Sequence, residues 1–200
     1  MPGWIDTTLD QLDQQIRQLR RELAEVEALR SRLSPPRPSH QSRIFERMGL
    51  TNMGKSILVV GATGTVGAAT IDALRAAGAE PIGFVRDPGR AAGLLDHRTP
   101  LRVGDLADAA SVRVALNGVD AVLICSSHGP AMREQQMRAV RAIEASQVTR
   151  AVKISGSPVS LRADSPARTG RDHFAVEKAL RETGRDTISI RPNPFMQNFL

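Results

Sequence analysis

From Ile5 to Leu33 apolar residues recur at alternating steps of three and four: Ile5, Leu9, Leu12, Ile16, Leu19, Leu23, Val26 and Leu33, with Arg30 as the one interruption. Reading Leu9 as heptad position a places Leu9, Ile16 and Leu23 at a, and Ile5, Leu12, Leu19, Val26 and Leu33 at d. Charged residues flank the stripe. A seam this narrow, kept for about four heptads, predicts an N-terminal coiled-coil helix over residues 1–34, because a 3.5-residue period holds one line of side chains against a partner helix. An amphipathic helix docked on its own globular domain is the other reading, and it calls for a wider stripe. The run Ser34-Pro-Pro-Arg-Pro-Ser-His40 ends the helix, since its three prolines remove donors and restrict the residues before them. Residues 35–54 therefore read as a linker, with a short helical piece around Ile44-Phe45.

Beyond Lys55 the pattern changes. Short apolar, β-branched runs alternate with longer stretches of helical spacing. The runs are Lys55–Val60, Glu80–Val85, Leu101–Val103, Ala121–Cys125, Ala151–Ile154 and Thr187–Ile190; the helical stretches fall at Ala68–Ala77 and near 108–116, 130–146 and 166–183. Connections of that length require parallel strands joined by right-handed crossovers.

The first run leads directly into Gly61-Ala-Thr-Gly-Thr-Val-Gly67 and then into helix. Gly61 lets the chain turn off the strand, Gly64 lets the backbone approach a pyrophosphate, and Gly67 lets the helix pack close to the strand. Thr63, Thr65 and Val66 complete the turn, and phosphate sits at the positive helix N-terminus. A glycine triplet between a strand and a helix is a strong signal for dinucleotide binding. The expected fold is α/β: a Rossmann-type doubly wound parallel sheet over residues 55–200, C-terminally short and preceded by the coiled-coil helix.

The end of the second run selects the nucleotide. NAD sites place a carboxylate there for the ribose 2′-hydroxyl, and NADP sites place Arg there for the 2′-phosphate. Here the order is Val85-Arg86-Asp87, with Arg90 close behind. NADP(H) is expected through Arg86 and Arg90, and NAD(H) remains open if Asp87 turns inward to the ribose. Ser126, Ser127 and His128 follow the fourth run, at the edge where ligands of such sheets lie, near the nicotinamide half.

Composition narrows the rest. The net charge of +6 is spread among acids without a basic, aromatic-interleaved stripe, so nucleic acid is not an expected partner. Cys125 alone excludes an intrachain disulfide and sits in an apolar run as core filler. With no apolar run near the ~20 residues of a membrane span and no signal-like start, a soluble cytoplasmic protein is expected. No metal site is predicted.

Taken with Val85-Arg-Asp-Pro88, Gly104-Asp-Leu106, His173-Phe-Ala-Val-Glu-Lys178 and Ile190-Arg-Pro-Asn-Pro-Phe-Met-Gln-Asn-Phe-Leu200, the glycine turn resembles the NmrA-like family of atypical short-chain dehydrogenases. That resemblance implies an NAD(P)-binding oxidoreductase acting on a quinone or carbonyl compound. It equally implies a non-catalytic redox sensor that engages a partner, here through the coiled coil or as a homo-oligomer. The resemblance also implies that Asp105, with Leu106, meets the adenine. Short-chain dehydrogenases donate a proton from Tyr in a Tyr-x-x-x-Lys pair, and the chain has no Tyr. His173 and Glu177 share that spacing, and hence one helix face, with His173 a proton donor oriented by Glu177 or else a surface pair. Ser155, after the fifth run, either bonds a substrate carbonyl or caps the next turn. Relatives generally continue for some tens of residues and close the substrate pocket, whereas this chain stops at Leu200. The expected reasons are truncation, completion by another chain, or no turnover. Met53 resembles the usual start of such proteins, which makes the coiled coil an addition.

Overall fold

The computed structural model describes residues 54–126 and 129–192. The coiled-coil helix expected over residues 1–34 and the linker expected after it, up to Met53, lie outside the described residues. So do Ser127, His128 and the Pro-Phe-Met-Gln-Asn ending.

Six strands form one parallel sheet: β1 (Ser56–Val60), β2 (Glu80–Val85), β3 (Leu101–Val103), β4 (Ala121–Ile124), β5 (Arg150–Ile154) and β6 (Asp186–Ile190). Their order is β3-β2-β1-β4-β5-β6, the doubly wound arrangement in which the order reverses beside β1. The connecting helices are α1 (Thr65–Ala76), α2 (Pro88–Ala92), α3 (Ala109–Ala115), α4 (Met132–Glu144) and α5 (Arg168–Glu182).

Strand alternation divides the core between the two faces. Leu58 and Val60 of β1 join Val122 and Ile124 of β4 against Val112, Ile143, Val176 and Leu180 from α3, α4 and α5. Ile57 and Val59 point the other way and pack with Leu123 and Val152 against Ile71 and Leu74 of α1. Apolar runs covered on both sides are what a parallel sheet demands.

Two local features go beyond the sequence reading. Helix α1 starts at Thr65, inside the glycine turn, three residues before the Ala-rich stretch that was expected to open it. Helix α2 is an addition: Asp87 caps it by accepting the Arg90 N–H at 3.0 Å, and Pro88 occupies its first turn. Five residues carry too little periodicity to register, although Asp-Pro is itself a helix-start signal. Among the described residues, no helix is long and apolar enough to cross a membrane.

Candidate functional site

All six strands run the same way, so the segments that follow them emerge at one edge. Register brings them side by side: Val60 is level with Phe84 on β2 and Ile124 on β4, and Ile124 with Lys153 on β5.

Gly61 adopts φ +89°, which L side chains rarely adopt, and a Cβ there would stand 2.6 Å from the Cys125 carbonyl oxygen. At Gly67 a Cβ would fall inside the contact radius of the Gly61 carbonyl oxygen, so the helix lies directly against its own turn. Gly64 differs. Its nearest neighbour would be the Gly61 oxygen at 3.3 Å, and it is exposed. It is the extended N-cap of α1, has no side-chain cap, and the first turn holds no acidic residue. The helix thus ends in uncapped N–H groups beside an open glycine, with exposed Thr65 and half-buried Thr63 and Val66 around it. That cradle, which a side chain at 64 would fill, fits a pyrophosphate.

After β2, Arg86 and Arg90 are exposed, and among the described residues neither guanidinium has a hydrogen-bond or ion-pair partner. Asp87 is occupied in capping α2. The carboxylate that the sequence left open as a ribose ligand thus serves as a helix cap, accepting the Arg90 N–H. After β3, Asp105 Oδ1 accepts the Ala107 N–H at 2.8 Å, and the Ser111 hydroxyl donates to the Asp105 carbonyl at 3.0 Å. Leu106 is buried. After β4, Ser126 Oγ accepts from Gln136 Nε2 at 3.0 Å; Gln136 is fully buried, and its Oε1 has no partner among the described residues. Cys125 turns its sulfur inward, with the thiol donating to the Val60 carbonyl at 3.0 Å, and burial pushes its pKa up to about 12.

Beyond β5 lies a buried polar cluster. Ser155, His173 and Glu177 are 3%, 2% and 1% exposed, and Lys153 is 0% exposed. His173 and Glu177 do share one face of α5, and that face is turned into the protein. Lys153, on the α5 side of β5, brings its ammonium 2.8 Å from His173 Nδ1 and donates to the Ile154 carbonyl at 3.2 Å. Burial lowers the Lys153 pKa to about 8 against the opposing pull of the Glu177 carboxylate. Burial also works to raise the Glu177 pKa, but hydrogen bonds from Arg191 and Ser155 and the charges of Arg191 and Lys153 outweigh it, leaving a net lowering. Arg191 grips Glu177 with two bonds, Nε to Oε1 at 3.2 Å and Nη2 to Oε2 at 2.7 Å; Arg181 adds a third contact at 3.3 Å. The buried Ser155 hydroxyl lies alongside that carboxylate, close enough to help lower its pKa but outside full hydrogen-bond geometry to any described residue. A Cβ on Gly156 would stand 2.9 Å from His173 Cδ2, so the ring packs close against the backbone there and a side chain would force it to shift.

Sequence reasoning missed Lys153, Gln136 and Arg191 as members of the site. The signal for Lys153 was a cation inside the apolar run Ala-Val-Lys-Ile, in a sheet covered on both faces. Gln136 and Arg191 offered none beyond their place on α4 and after β6.

A doubly wound sheet with an open, uncapped glycine turn at its switch point defines a dinucleotide-binding protein. The chain belongs to the NAD(P)H-binding family, whose model matches residues 61–198. It is 30% identical over 144 residues to an NAD(P)H azoreductase of Xenophilus azovorans, covering 72% of this chain and 50% of that one. It is 31% identical over 147 residues to quinone oxidoreductase 2 of Escherichia coli strain K12, with the same coverage of 72% and 50%. Its fold is similar to that of the Citrobacter sp. triphenylmethane reductase complexed with NADP(H), at TM-score 0.64 and 26% identity over 72% of this chain and 51% of that one. The chain spans about half the length of the curated relatives it matches.

Proposed function

We propose that this chain is the NADP(H)-binding part of an NmrA-like cytoplasmic reductase that passes hydride to a quinone or carbonyl compound. The observation that carries the reading is the pair Arg86 and Arg90, without a side-chain partner among the described residues, beside an Asp87 whose carboxylate caps α2 at the carboxyl edge of the sheet. The relatives support it: one is named for azo reduction and one for quinone reduction, and the similar Citrobacter sp. structure is complexed with NADP(H).

Bound NADPH supplies the hydride. The α1 N-terminus and Gly64 receive the pyrophosphate, and Arg86 and Arg90 receive the 2′-phosphate as a charge-assisted clamp. Asp105 and Leu106 meet the adenine, the former through the carboxylate oxygen that its own loop leaves over. Ser126 and Ser127 serve the nicotinamide half. Ser155 holds the substrate oxygen, and His173, oriented within the cluster of Glu177, delivers the proton that Tyr supplies elsewhere. A second reading, a non-catalytic NAD(P) redox sensor that engages a partner through a coiled coil in residues 1–34, is favoured by one observation: Ser155, His173 and Glu177 are almost fully enclosed.

Calorimetric titration with NADPH, NADP, NADH and NAD, repeated on Arg86→Ala, tests both. The expected result is preferential NADPH binding that falls at least tenfold in the variant, in line with roughly 1.5–3 kcal/mol for a charged hydrogen bond. NADPH oxidation with a quinone acceptor then separates the reductase from the sensor. Equal affinity for all four nucleotides in both proteins would overturn the cofactor assignment.

A further inference from the structure

We propose that Gln136 is a positioning residue for the nicotinamide end of the site: its buried amide donates to Ser126 Oγ, and so keeps the serine hydroxyl proton for an acceptor oxygen on the bound dinucleotide. The inference rests on the NADP(H) reading above, whose adenine half it does not touch. Gln136 is 0% exposed on α4, about one turn in from the helix start at Met132. An amide so placed is costly unless it is paired. Its Nε2 reaches Ser126 Oγ at 3.0 Å, whereas Oε1 has no partner among the described residues.

The direction of the bond follows from the donors and acceptors available. A serine hydroxyl has one proton to give and two lone pairs, while a glutamine amide gives from its nitrogen and accepts at its oxygen. Turning the amide over would let Oε1 accept the hydroxyl proton. Both N–H groups would then lie buried and unpaired, and buried donors go unpaired less readily than buried carbonyl oxygens. With Nε2 toward Ser126, the serine oxygen accepts and its proton points away from α4. Among the described residues no acceptor takes that proton.

Ser126 stands where a dinucleotide crosses the sheet. It follows shortly after Ile124, the end of β4, and β4 lies beside β1 at the reversal of strand order. A Cβ on Gly61 would fall 3.0 Å from the Ser126 backbone nitrogen, so the serine sits against the first glycine of the phosphate turn. Ser126 is half-buried, within reach of a ligand in that crevice, and the amide behind it is enclosed. Gln136 therefore acts on the nucleotide only through Ser126.

The test is a double-mutant cycle on the full chain, read by calorimetric titration with NADPH and with adenosine 2′,5′-bisphosphate, which carries the adenine half and its 2′-phosphate but no nicotinamide. Ser126→Ala is expected to weaken NADPH binding about fivefold, within the range of one neutral hydrogen bond, and Gln136→Met about threefold. In the Ser126→Ala background Gln136→Met should add nothing, because the proton it directs is gone. Neither change should alter the affinity for the bisphosphate. In urea unfolding Gln136→Met should have a midpoint no lower than the wild type, since it removes a buried carbonyl that has no partner. A residue that merely packs α4 against the sheet would instead lower the midpoint and weaken both ligands alike, and that outcome overturns the proposal. Additive effects of the two substitutions on NADPH binding overturn it too. A wild type that binds neither ligand overturns the NADP(H) reading and this proposal together. If the coupling appears as expected while no acceptor oxidises NADPH, the reductase reading fails and the assignment of Gln136 stands.

Discussion

Replacing Lys153 by Met removes a buried cation while leaving Glu177 its partners Arg191 and Arg181. The folded-state pKa is about 8 against an ordinary 10.5, after the attraction of Glu177 has been included. At 1.36 kcal/mol per unit that difference is about 3 kcal/mol against folding. The unfolded chain binds this proton more tightly than the folded one, so the penalty is present in full below about pH 8. It diminishes between about 8 and 10.5 and vanishes above. Losing the bond to His173 offsets roughly 1 kcal/mol of the gain. Lys153→Met is therefore expected to be about 2 kcal/mol more stable than the wild type at pH 7, consistent with hydrophobic replacement of buried charges elsewhere. Urea unfolding of both proteins at pH 7 and about pH 10 reads the effect, with the gap closing at the higher pH. A variant less stable at pH 7, or a gap of the same size at both pH values, would refute the reasoning.

Two further outcomes follow from the same geometry. Gly67→Ala sets a Cβ against the Gly61 carbonyl and should cost about 3 kcal/mol in thermal unfolding, whereas Gly64→Ala should cost under ~1 kcal/mol yet weaken nucleotide binding in calorimetry. Glu177→Gln leaves the Lys153 ammonium without its countercharge and should lose about 3 kcal/mol at pH 7 in urea unfolding, with much of it recovered near pH 10 where the lysine is neutral.

The strand, glycine turn and helix that open the sheet were legible in the sequence because their signals are local: β1, the three glycines and α1 lie within one stretch. The far side of the site was legible only in part. The spacing of His173 and Glu177 placed them on one face of α5, but whether that face met water depended on β5 and β6 packing beneath it. Spacing alone left a surface pair open, and burial excludes it. Lys153 was read as part of a strand because an apolar run with one polar member fits an edge as well as a core. The Glu177–Arg191 clamp joins α5 to the segment after β6, a contact that local periodicity does not encode. Asp87 shows the converse: the residue after it, Pro88, already marked the helix start that its carboxylate caps.

Cys125 has a practical consequence. Its sulfur faces the Val60 carbonyl and its pKa of about 12 leaves almost no thiolate at neutral pH, so alkylating reagents should pass it by. The chain has no other cysteine. A single thiol introduced at exposed Val114 or Val159 would then carry a fluorophore at one known place, ready to report on nucleotide capture without first stripping the protein of its native sulfur.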